Sequence, residues 1–192
     1  MASIINASTS GVGGVITTAD NSGDLNIQSG GSTKIAVTSS GVAVTGLSKG
    51  SLPTGSVLQV VQGTYATLVT NSTTTYADSG LTATITPTSA TSKILVHVVT
   101  NVRVRRAGAY AYGYINLVKN STQLLEYFIS MYNNAGTDCN VTQTPTVCYL
   151  DSPATTSATT YKMQLKAAGT GSTMETTYDG NLSTIVLMEI AA

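Results

Sequence analysis

Apolar and polar residues alternate with a period of two over most of the chain after residue 56, with no helical repeat. Such alternation sends successive side chains to opposite faces of a strand. The longest run, residues 92–106 (SKILVHVVTNVRVRR), is predicted to be the central strand. Ile94, Val96, Val98, Val102 and Val104 share one face, which reads as core. Leu95, His97, Val99, Asn101, Arg103 and Arg105 share the other, which starts apolar and turns polar. A strand apolar on both faces at one end needs cover on both sides there. The chain offers no helix for that layer, so a second copy of the same chain is expected to supply it.

The other strand-like stretches are VLQVVQGTYATLV, LTATITP, AYAYGYINLV, QLLEYFISMY, TVCYLDSP, TTYKMQLKAA and STIVLMEI. Tyr161, Met163 and Leu165 are expected inside, with Lys162, Gln164 and Lys166 outside. Leu81, Ala83 and Ile85 form a second inward face. The closing stretch is apolar on both faces except Glu189, so it is expected inside a sheet or at a subunit contact, because an apolar edge invites aggregation. About eight strands, separated by turns, predict an all-β fold: an antiparallel β-sandwich of the jelly-roll kind. Two stretches, 132–145 and 168–181, read as long loops, and long loops tend to carry function. Asn133, Asn134, Asp138, Asn140, Gln143, Thr170, Glu175, Tyr178 and Asp179 are therefore the candidate residues of a binding surface.

Residues 1–50 differ. The pairs Val15-Ile16, Leu25/Ile27, Ile35/Val37 and Val42/Val44 are separated by the turn clusters NSGD, SGGS and SSG, and 11–46 holds no aromatic residue. Strands this short cannot bury a core alone. They gain stability by stacking on neighbours or on other chains. A short β-stalk or anchor is one reading; a flexible Gly/Ser arm is the other. Gly50, Pro53 and Gly55 then punctuate the chain, which sets a hinge at 51–55 and a knob at 56–192.

The chain has 192 residues, with 9 Lys and Arg against 9 Asp and Glu and a formal net charge of zero. So few charges exclude the basic surface that nucleic acid requires. No apolar run approaches the length of a membrane span, and no membrane insertion is expected. The start, MASIINASTSG, lacks the basic and apolar regions of a secretory signal. Cys139 and Cys148 therefore fit reduced thiols, with a disulfide left open.

Catalytic chemistry is hard to assemble. His97 is the only histidine, and a general base needs a partner. Where copies of the chain meet, several His97 side chains could come together at a metal or an anion. A metal needs several placed ligands, so a packed interface histidine is the plainer reading, and neither metal nor cofactor is expected. Nucleophile-elbow, phosphate-loop and calcium-loop motifs are missing, although paired carboxylates need not be close in sequence. The chain is read as a binding protein, not an enzyme. Arg103 and Arg105 form a candidate patch for an anionic partner, by bidentate pairing to a glycan or to a neighbour's carboxylate; solvated strand-end arginines are the alternative. Tyr110, Tyr112 and Tyr114 make an aromatic stripe. With Leu95, His97 and Val99 they are the candidate contact between subunits, with stacking on sugar rings as the alternative.

Two stretches resemble virion proteins of tailed bacteriophages, notably cyanobacterial and marine phages. The opening ASTSGVGGVITTADNSGDLNIQSGG is similar to the N-terminal segment of their fibre-like proteins. The stretch GSVLQVVQGTYAT…STTTYADSGLTATITPTSATSKILV, with YLDSPATTSATTYK and STIVLMEI, is similar to the C-terminal domain of tail fibres. The resemblance implies a homotrimer whose knob is like the trimeric jelly rolls of the tumour necrosis factor and C1q class. It implies a virion protein, assembled in the host cytoplasm, that binds a glycan or protein of the host surface, with residues 1–50 docked on another virion protein of tail, baseplate or capsid. A shaft of at most about 40 residues spans only about 130 Å. That favours a short tail fibre, a head fibre or a capsid decoration protein over a long fibre.

Overall fold

The structure is a computed structural model describing residues 25–45, 52–108, 110–133 and 136–192. The pair Val15-Ile16, residue 134 and most of the expected anchor lie outside the described residues. The chain divides into two units, 1–48 and 49–192.

The first unit contains an antiparallel meander: β1 (Leu25–Ser29), β2 (Ser32–Thr38) and β3 (Gly41–Val44). Its first turn is Gly30-Gly31, with φ of 59° and 75°. Two left-handed residues match the twist of the flanking strands, and glycine adopts that backbone without strain. The register sets Leu25 beside Val37 and Val37 beside Val42; Ile27, Ile35 and Val44 form the next row. One face is therefore apolar, yet Leu25, Ile27, Val42 and Val44 remain exposed within the unit.

The second unit is all-β and antiparallel, folded as a sandwich. Its strands are β4 (Val57–Tyr65), β5 (Val69–Asn71), β6 (Ala77–Ile85), β7 (Lys93–Val99), β8 (Val102–Arg106), β9 (Tyr110–Lys119), β10 (Thr122–Tyr132), β11 (Cys139–Gln143), β12 (Thr146–Asp151), β13 (Thr159–Ala167), β14 (Ser172–Thr176) and β15 (Ser183–Ile190). One sheet has the order β12-β7-β15-β4. A second, β11-β8-β14-β5, repeats that order with the sequence neighbours of the same strands, so the two form one long, interrupted layer. The third, β10-β9-β13-β6, packs across from it.

The expected central strand is thus two strands in two sheets. It breaks at Thr100 and Asn101, where the Thr100 amide donates to the Pro145 carbonyl and the Asn101 carbonyl accepts from the Thr177 amide. Thr100 Oγ1 also lies 2.9 Å from Ser183 Oγ. The alternation keeps its phase through the break: Ile94, Val96, Val98, Val102 and Val104 are all fully buried. They meet Leu81, Ile85, Ile115, Leu117, Tyr161, Met163 and Leu165 in one core. Full burial of each such side chain contributes about 1.5–3 kcal/mol before entropy is counted. At one edge the layers nearly touch: a Cβ on Gly63 of β4 would sit 2.1 Å from the Thr82 carbonyl oxygen of β6.

Both stretches read as long loops contain a strand. β11 takes up 139–143 of the first and β14 172–176 of the second. β15 lies inside its sheet, between β7 and β4. Residues 52–56 are tied to the second unit, because Gly55 donates to the Ala191 carbonyl and Ala191 donates back to Ser56. Cys139 is buried, Cys148 is exposed, and both are free.

Candidate functional site

Three regions gather the candidate residues. The first is the outer face of β12-β7-β15-β4. Alternation puts Leu95, His97 and Val99 on that face, and register fixes their neighbours. Leu95 lies between Leu150 and Met188, with Val60 completing the row. His97 lies between Cys148 and Val186, and Val99 between Thr146 and Thr184. Leu150 is 51% exposed and Val60 57%, while Leu95, Val99 and Met188 are half-buried. The face is aliphatic at the Leu95 row and turns polar toward Thr146 and Thr184, and among the described residues no element of the unit is packed over it. Among the described residues no group of His, Cys, Asp or Glu is placed to hold a metal ion.

The second region continues the same face onto β8 and β14. Glu175 stands opposite Arg103 in the register. Its Oε1 accepts from Arg105 Nε at 3.1 Å and its Oε2 from Arg103 Nε. The Arg103 guanidinium lies 3.3 Å from the centre of the Tyr178 ring. Burial works against the Arg103 charge, but the bond and field of Glu175 raise its pKa above the ordinary value. Glu175 is 2% exposed. It is therefore a buried counter-ion and not a receptor-facing loop residue. β14 turns it to the same face as the two arginines while Met174 beside it enters the core, and a carboxylate between two arginines is better solvated by them than left alone. Arg103 is spent on this pair, whereas Arg105 remains half exposed.

Beyond Arg105 lies an open cavity of about 360 Å³, lined by Arg105, Arg106, Asp138, Asn140, Gly171 and Thr173 among others. It brings Arg105, Asp138 and Asn140 together at one end of the sandwich. Asn133 bonds across its own turn to Thr137 and Asp138. Thr170 is an exposed turn residue, Asp179 an exposed residue of a short 3-10 helix (Tyr178–Gly180), and Gln143 an exposed residue at the end of β11.

The third region is the outer face of β10-β9-β13-β6. Tyr110, Tyr112 and Tyr114 lie here, on the other layer from Leu95, His97 and Val99. The expected single trimer contact is thus split between two opposite faces, because β7 and β9 belong to different sheets. Tyr110 and Tyr112 stack at 4.7 Å between ring centres. Register adds residues that the stripe alone does not show: Phe128 opposes Tyr114 and Tyr132 opposes Tyr110. Their ring centres lie 5.2 and 6.4 Å apart respectively. The spacing of Phe128, Ser130 and Tyr132 on one strand face was the available signal. Lys166 lies over the rings of Tyr76 and Tyr114 and pairs with Glu126. The Tyr76 hydroxyl also donates to Glu126. Burial and that carboxylate push the Tyr76 hydroxyl well above its ordinary pKa, and Glu126 is held below the usual carboxylate range by Tyr76 and Lys166. Next to them Asp78 accepts from Lys162 and Gln164.

No helix among the described residues is long and apolar enough to cross a membrane. No family model matches the chain, and no curated protein matches it. Among solved structures it is similar to dimeric latent PorU from Porphyromonas gingivalis, with a TM-score of 0.31 and 12% identity, over 75% of this chain and 14% of that one. A likeness at that level carries no argument.

Proposed function

We propose that this chain is a trimeric structural protein of a phage virion, a tail fibre or fibre-like spike that binds the host surface without catalysing a reaction. The observation that carries the assembly is the uncovered aliphatic face, with the row Leu150, Leu95, Met188 and Val60. A soluble sandwich with nothing to cover such a face would aggregate. A cyclic trimer covers it by setting a different patch of the next subunit on it, since ring contacts are heterologous.

The strand order supports the jelly-roll form. With each interrupted strand counted as one, the long layer runs sixth, third, eighth, first, and the opposite layer fifth, fourth, seventh, second. That is an eight-stranded double sheet with Greek-key crossings. The exposed apolar face of β1 to β3 supports the same symmetry in the N-terminal unit, where three such meanders could close on one another. Virion and phage enter from the sequence resemblance alone. Binding by three equivalent knobs, repeated over several spikes, would be multivalent.

Antibody labelling of purified particles tests the placement. Label on the tail agrees with the proposal, label on the capsid faces replaces attachment with shell decoration, and particles without label overturn both. Excess purified chain should slow adsorption of the phage to its host; unchanged adsorption contradicts the attachment role.

A further inference from the structure

We infer that the aromatic outer face of β10 and β9 is a binding platform for a neutral oligosaccharide. The inference deepens the attachment reading and rests on it for the source of the ligand. The two uncovered faces of the sandwich differ in chemistry. The face around Leu95 is aliphatic and suits a protein partner. The face around Tyr112 is aromatic with a polar border, and a sugar ring has matching parts: an apolar C–H face for an aromatic ring and hydroxyls for the border.

Phe128 is 49% exposed and Tyr132 66%. They stand four residues apart on one face of β10, roughly 13 Å by strand rise. That separation suits several linked sugars, not one. The rings are held before any ligand arrives. Tyr110 stacks on Tyr112, Tyr112 leans on Phe128 at 6.0 Å, and the Tyr112 hydroxyl packs where a Cβ on Gly169 would come within 2.5 Å. Preset rings lose little side-chain freedom on binding.

Charge selects the class of sugar. Both lysines of this face are already paired, Lys166 with Glu126 and Lys162 with Asp78. Among the described residues this face leaves no unpaired lysine for a polyanionic glycan, and the Arg106 guanidinium is bonded to the Tyr110 carbonyl, while the carboxylates, Gln164 and the tyrosine hydroxyls remain hydrogen-bonding groups for sugar hydroxyls. A second copy of the chain would have to desolvate those ion pairs without replacing them.

The test uses the full chain on an array of neutral, N-acetylated and uronic-acid glycans, followed by titration of the best neutral ligand. Phe128→Ala and Tyr132→Ala, both at exposed positions, should each weaken binding at least about tenfold. Tyr127→Ala, a partly exposed tyrosine on the other face of β10, should leave it unchanged. Binding of uronic-acid glycans alone, or of no glycan, overturns the inference. Undiminished binding by Phe128→Ala and Tyr132→Ala overturns this site while leaving glycan attachment standing. Loss of the oligomer in the same variants would mark the face as a subunit contact and also overturn it. The adsorption experiment judges the attachment reading separately.

Discussion

Glu175 of β14 stands directly across from Arg103 of β8, and its second oxygen reaches Arg105. The carboxylate is buried, so the pair cannot be loosened without leaving a charge in a poor solvent. Glu175→Gln is expected to lower stability by about 3 kcal/mol, in the range for breaking a buried pair. Arg103→Ala should cost more than Arg105→Ala, whose exposed side chain places it nearer the surface range of about 0–1 kcal/mol. Urea unfolding of the three variants checks the ranking; equal losses for the two arginines would contradict it.

Acid should weaken the fold partly through Glu189. Burial alone would raise its pKa, but the bonds from Thr88 and Gln59 outweigh it and hold the carboxyl below its ordinary value. Thr88 donates from its amide and its hydroxyl at 2.7 Å, and Gln59 Nε2 donates at 2.6 Å. A depressed folded-state pKa means this contribution is present above the ordinary carboxylate range and lost as pH falls through the folded value. The urea midpoint should therefore drop between neutral pH and about pH 3, and Glu189→Gln should flatten part of that drop while lowering the midpoint at pH 7. A variant as pH-sensitive as its parent would exclude Glu189 as a contributor.

Gly63→Ala should be poorly tolerated. The obstacle to a Cβ there is the Thr82 carbonyl, which is backbone and cannot swing aside. Overpacking of this kind costs about 1–3 kcal/mol. Gly136→Ala, which meets nothing within 4 Å, is the control for a glycine with open space, although its φ of 67° adds a smaller strain. Thermal unfolding compares the two; a Gly63→Ala loss no larger than the control would show that the layers can part.

The inner faces were legible because alternation alone fixes them: Tyr161, Met163 and Leu165, or Leu81, Ala83 and Ile85, go inside whatever their neighbours. β11 and β14 were not. CNVTQ and STMET are five residues each, too short for a period to stand out among Thr, Ser and Gly. The break at Thr100 was hidden for a different reason, since a strand that changes sheet without losing phase leaves no mark in the pattern. Glu175 and Phe128 depended on register. Sequence places each on a stretch of chain, but only the pairing of β14 with β8 and of β10 with β9 puts them beside Arg103 and Tyr114.

Sedimentation of the full chain across a range of concentrations tests the central claim most directly. The account predicts three chain masses of 19.7 kDa, and dissociation when Leu95→Asp is combined with Met188→Asp on the exposed side of β7 and β15. A folded monomer of the unsubstituted chain, stable and soluble with Leu95, Leu150 and Met188 facing water, would contradict it.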